Sequence, residues 1–83
     1  MSDPEMARLR WRCRRGMKEL DLLLLDYIDH WYGDADATGQ RTFKRLLSMP
    51  DPEILALLTG RSEPENEHLA LIIERLLARD RPA

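Results

Sequence analysis

Apolar residues recur along most of this chain at intervals of three and four, the spacing that puts side chains on one face of a helix. Met6, Leu9 and Cys13 form the first such set, in a segment predicted helical over residues 4–14. Residues 8–14 also alternate in period two, as a strand would, but no second strand pattern exists to pair with them, so the helix is retained. Met17, Leu20, Leu24, Tyr27, Ile28 and Trp31 mark a second helix over 17–32, with Leu22 and Leu25 off its stripe. A helix apolar on more than one face is either central to the core or keeps a surface for another molecule. Phe43, Leu46 and Leu47 mark a third helix over 40–48, and Ile54, Leu55, Leu57 and Leu58 a short fourth over 51–59. Leu69, Ile72, Ile73, Leu76 and Leu77 are the expected buried positions of a fifth over 63–79. The predicted fold is all-α, a compact bundle of five short helices forming one domain over 1–83.

The polar and special residues between these stripes supply the boundaries. Ser2 and Glu5 around Pro4 read as a capping box, in which the serine and the glutamate satisfy each other's orphan amides. Gly16 is the natural end or bend of the first helix. Residues 33–39 are a loop by composition. Pro50 stops the third helix, Asp51 before Pro52 reads as the N-cap of the fourth, and Gly60 closes it. Ser62 and Glu65 form a second predicted capping box; Glu63, Glu65 and Glu67 at the start of the fifth helix and Arg75, Arg79 and Arg81 at its end suit the helix dipole.

Length changes the picture by restricting it to one small core, since chains near this size bury only about 60% of their unfolded surface. With 43% apolar and 34% charged residues the chain is neither disordered nor a membrane protein in composition. No apolar run approaches the roughly 20 residues needed to cross a bilayer. The acidic N-terminus lacks the apolar stretch of a secretory signal, so a cytoplasmic location is expected. Cys13, the single cysteine, is read as a small buried hydrophobe.

Charge is distributed unevenly. Thirteen Lys and Arg against fifteen Asp and Glu give a net charge of −2, the wrong sign for a domain held mainly by phosphates. Yet Arg8, Arg10, Arg12, Arg14, Arg15 and Lys18 put six cations into eleven residues, which reads as one basic patch, and Glu19, Asp21, Asp26, Asp29, Asp34 and Asp36 follow. A nucleic-acid-binding or other protein-interaction domain using residues 8–18 is therefore the alternative function, with an acidic protein partner preferred over nucleic acid.

Candidate chemistry is sparse. Setting Asp34 at position 1 of a calcium loop puts Asp36 at 3, Thr38 at 5 and Gly39 at 6, but Arg45 then falls where a bidentate glutamate is required. His30 and His68 have no companion ligands at metal spacing. No glycine-rich phosphate loop or nucleophile elbow is present. No catalytic, cofactor-binding or metal residues are expected, and the protein is not expected to be an enzyme.

The most specific feature is Arg15-Gly16-Met17-Lys18-Glu19, which by propensity alone would be a hinge beside a weak exposed i, i+4 pair. Together with Arg14 and the following Leu20-Asp21-Leu22-Leu23-Leu24, it resembles the signature of the succinate dehydrogenase assembly factor family. Phe43-Lys44-Arg45-Leu46-Leu47-Ser48-Met49-Pro50-Asp51-Pro52-Glu53-Ile54-Leu55 and Leu58-Thr59-Gly60 resemble that family's second block, so the likeness covers residues 8–61. The resemblance implies a five-helix bundle acting as a chaperone-like factor. Such a factor binds the flavoprotein subunit of succinate dehydrogenase, and in bacteria that of fumarate reductase, and promotes covalent attachment of FAD to a histidine of that subunit. FAD would not be held stably by this chain, which is expected to be a monomer when free and not to insert into membranes. The family's Arg-Gly-x-x-Glu falls on Arg15, Gly16 and Glu19, the implied partner-binding residues, with Arg8, Trp11 and Arg12 as further candidates beside Leu22 and Leu25. Leu57 stands where many members carry tryptophan.

Overall fold

The helical stripes converge in a computed structural model that describes residues 4–78. Its elements are α1 (Pro4–Arg12), α2 (Lys18–His30), a 3-10 turn (Tyr32–Asp34), α3 (Ala37–Leu47), α4 (Asp51–Leu58) and α5 (Glu67–Leu77), the five-helix all-α bundle expected. Phe43 of α3 lies at the centre. Its ring stacks on Tyr27 of α2 with centroids 4.5 Å apart and meets Tyr32 at 5.8 Å. Leu20, Leu24 and Ile28 of α2, Leu46 and Leu47 of α3, Ile54 and Leu57 of α4, and Leu69, Ile72, Ile73 and Leu76 of α5 close around these rings. Leu57 is buried and fills core volume. Among the described residues no helix is long and apolar enough to cross a membrane.

α1 and α2 end about two residues earlier than expected, at Arg12 and His30, and three helix starts are capped differently from the sequence reading. α3 starts at Ala37, not 40, because the Asp36 carboxylate accepts from Gly39 N–H at 2.8 Å; the loop 33–39 is thereby reduced to a 3-10 turn and the first turn of a helix. α5 starts at Glu67, not 63, because Asn66 accepts from Leu69 N–H at 2.9 Å. Ser62 is occupied elsewhere. α4 ends in a Schellman turn, with Arg61 N–H on Ala56 C=O at 2.9 Å and Gly60 at φ +81°, and Ser62 N–H reaches the same carbonyl at 3.1 Å. Third, Asp51 is not the cap of α4; Pro50 holds that position, and the Asp51 carboxylate is turned toward Arg15. The Ser2 capping box and the cations Arg79 and Arg81 lie outside the described residues.

Two side-chain expectations also change. Leu77 is exposed, because it is the last residue of α5 and lies at the edge of the stripe centred on Leu69, Ile72, Ile73 and Leu76. Leu25 is half-buried against the core, whereas Leu22 is exposed.

α1 is attached differently from the rest. Leu9, with Cys13 just beyond the helix, enters the core, and Met6 packs beside them. Polar ties supply the remainder: Arg10 Nη1 to Asp29 of α2 at 2.5 Å, Lys44 Nζ to Glu5 at 2.8 Å, and Arg12 Nη2 to Ser48 Oγ and the Lys44 carbonyl at 3.1 and 3.2 Å.

Candidate functional site

Between α1 and α2 the chain must turn within five residues, and Gly16 makes this possible by adopting φ +85°, a region costly for any residue with a Cβ. Among the described residues, nothing beyond its chain neighbours lies within 4 Å of where that Cβ would be, so the face of Gly16 is open. The Asp21 carboxylate, reaching back from the first turn of α2, accepts from Arg15 N–H at 2.8 Å and Gly16 N–H at 3.3 Å. The corner is held by its own helix.

It is also held from the other side. The Arg15 side chain, only 15% exposed, runs inward to the turn between α3 and α4. Its Nε donates to Asp51 Oδ1 at 2.7 Å, Nη1 to the Leu47 carbonyl at 2.7 Å and Nη2 to the Met49 carbonyl at 2.5 Å. Leu47 ends α3, where carbonyls lack helical partners and a cation is favoured. Met49 precedes Pro50, and Asp51 opens α4, where an anion is favoured. The two sequence blocks around Arg15 and Asp51 meet through this guanidinium.

The six candidate residues separate in space. Gly16 and Glu19 are exposed on the corner and the first turn of α2, and Glu19 pairs with neither Arg15 nor any other described cation, so the i, i+4 pair does not form. Trp11 is 71% exposed on α1, with the Arg14 guanidinium 5.6 Å from its ring centroid. Arg8 is exposed one turn earlier. Arg12 turns away, onto α3.

Four of the six cations of the basic patch are thus dispersed, Arg10 to α2, Arg12 to α3, Arg15 to the α3–α4 turn and Arg14 to the indole, while Arg8 and Lys18 stay exposed. Charges spent on partners within the chain are poor ligands for a phosphate backbone. Cys13, fully enclosed under these arginines, has its thiol pushed up to about 11 by burial despite the opposing pull of Arg10, Arg15 and Arg12. It is a protonated core side chain rather than a nucleophile. Lys44 is held above its usual range by its bond to Glu5.

Sequence reasoning missed Asp21 and Asp51 as parts of this corner. Asp21 read as an acid off the apolar stripe, and Asp51 as a helix cap; only the meeting of residues 36 apart shows the second role. A proximity to prolines at 50 and 52, which leaves the turn's carbonyls short of N–H donors, was the one available signal.

The fold and this corner define a small all-helical protein whose α1–α2 turn carries an open glycine braced by Asp21 and by the Arg15 side chain. A family model described as flavinator of succinate dehydrogenase matches residues 7–80. FAD assembly factor SdhE of Colwellia psychrerythraea is 41% identical over 73 residues, covering 88% of this chain and 80% of that protein. FAD assembly factor SdhE of Legionella pneumophila is 42% identical over 72 residues, 87% of this chain and 91% of that one. The same-named protein of Pseudomonas aeruginosa is 36% identical over 80 residues, 96% of this chain and 95% of its own. No solved structure matches the chain. The chain belongs to the flavinator of succinate dehydrogenase family.

Proposed function

We propose that this protein binds the flavoprotein subunit of succinate dehydrogenase and promotes covalent attachment of FAD to it, acting as a chaperone and not as an enzyme. Family membership supports the client. The observation that carries the docking surface is Gly16, left-handed, exposed and unobstructed at the tip of a corner braced on both sides. A partner backbone can approach such a point closely, where any side chain would stand in the way. Glu19, Arg8 and Trp11 are exposed on the two helices that flank it, Trp11 offering a large apolar contact and Glu19 and Arg8 charges of opposite sign with no partner among the described residues. Arg12 and Arg15, the other two candidates, are instead engaged with α3 and the α3–α4 turn.

The chemistry belongs to the client. The assembly factor holds the flavin domain in the arrangement in which its histidine and the flavin meet, a shift of population that lowers the cost of orientation without a chemical step on this chain. On this reading FAD is not stably bound here, the protein works as a monomer in the cytoplasm, and the related flavoprotein of fumarate reductase is a second client.

The test is covalent flavin fluorescence of the flavoprotein subunit in denaturing gels, from cells with the wild-type protein, without it, or with Gly16→Arg. Loss of signal in both altered strains is expected, and normal flavinylation in both would overturn the reading. The arginine must also adopt φ +85°, which costs the fold about 1–2 kcal/mol. Purified Gly16→Arg should therefore remain helical at assay temperature with a lowered urea midpoint, and a loss of flavinylation counts only with that fold intact.

A further inference from the structure

We infer that Arg15 serves this surface as a positioning residue, and that Asp21 and Asp51, two carboxylates that face the corner from opposite sides, are its working partners. The inference rests on the docking surface proposed above. Three of the five N–H donors that a guanidinium carries are already placed on Asp51, Leu47 and Met49. A direct contact with another molecule would require Arg15 to leave a half-buried carboxylate and two carbonyls that have no other described donor, so little of the side chain is on offer.

What it can do is orient. The Arg15 backbone enters the corner while its side chain is pinned to the α3–α4 turn, and Asp21 takes the N–H groups of both Arg15 and Gly16. The backbone at 15–16 is therefore clamped between α2 on one side and the start of α4 on the other. The open face of Gly16 points outward because that clamp sets the peptide planes on either side of it. Lysine cannot replace arginine here: a compact ammonium cannot reach three acceptors spread over a turn in the plane of a fork.

The experiment uses the full chain and the purified flavoprotein subunit, at a temperature where circular dichroism shows every variant folded. Dissociation constants are measured for the wild type, Arg15→Lys, Asp51→Asn and Asp21→Asn, and amide exchange of Arg15 and Gly16 is followed in the free protein. Asp51→Asn and Asp21→Asn should each weaken binding about tenfold, the size expected for one hydrogen bond to a charged group. Arg15→Lys should weaken it at least as much. The amides of Arg15 and Gly16 should exchange faster in all three variants, while those of Tyr27 and Phe43 keep their wild-type rates. If Asp51→Asn binds as tightly as the wild type or tighter while Arg15→Lys binds weakly, Arg15 touches the partner directly and the positioning role is wrong. Should Asp51→Asn fail to fold, Asp21→Asn decides in its place, since it acts on the same amides without altering the guanidinium site. If the wild type does not bind the flavoprotein at all, the proposed function fails, and the exchange rates still test the clamp.

Discussion

Two regions of this molecule are held together by different physics. Around Phe43, helices α2, α3 and α5 bury aromatic and aliphatic side chains against one another, and the helices stay in place because water is excluded between them. At the other edge α1 contributes Leu9, Met6 and, just past its end, Cys13, and is otherwise tied by Arg10, Arg12 and Glu5 to polar groups on α2 and α3. The corner proposed for docking follows directly on α1. Core burial cannot be adjusted without unfolding, whereas exposed ionic ties can be exchanged for those of a partner at small cost.

The comparison is broken most severely at the core. Phe43→Ala should cost about 3–5 kcal/mol, a large part of the whole stability of a domain this size, and reduce helicity throughout in a urea titration. A loss confined to one helix would show that the aromatic centre does not couple α2, α3 and α5.

Between the two regions sits Cys13. Its thiol is raised from an ordinary 9.0 to about 11 in the folded protein, so the unfolded chain ionises first. This contribution to stability is fully present below pH 9 and is lost as pH rises toward 11, with a slope of at most about 1.4 kcal/mol per pH unit. Urea midpoints measured between pH 8 and 11 should fall less steeply in Cys13→Ala than in the wild type. Identical slopes would mean that the arginine-covered edge admits water to the thiol.

The smallest effect is expected at the rim. Arg10 and Asp29 are 47% and 50% exposed, so Arg10→Ala should cost less than about 0.5 kcal/mol. The sharper readout is salt: raising ionic strength should accelerate amide exchange in α1 while leaving α3 unchanged, because exposed ties are screened and apolar contacts are not. Equal acceleration in both would erase the distinction.

What could be read from the sequence follows the same division. Leu20, Leu24, Tyr27 and Ile28, Phe43, Leu46 and Leu47, and Leu69, Ile72, Ile73 and Leu76 were legible because burial repeats with the helical period, and the structure buries all of them. Gly16 and Gly60 were legible because both corners require a positive φ. Helix starts were not, where several capping residues compete within a few positions: Asp36 and Asn66 prevail over the residues at 40 and 62, and nothing in the spacing ranks them. Tyr32 entered the core through a 3-10 turn, which has no apolar period to betray it. Arg15 meeting Asp51 is a tertiary fact, and a run of arginines looks like a patch until each finds its partner.

The exposure of Trp11 also makes this protein its own indicator. The chain has two indoles, Trp11 of α1 standing in solvent and Trp31 capped by the Arg75 guanidinium 4.4 Å from its ring centre. An indole in water emits at longer wavelength than one enclosed by protein, so a client that covers Trp11 should draw the emission toward the blue, with Trp31 as a constant background. The encounter can then be followed in real time by light alone, with no label attached to either molecule.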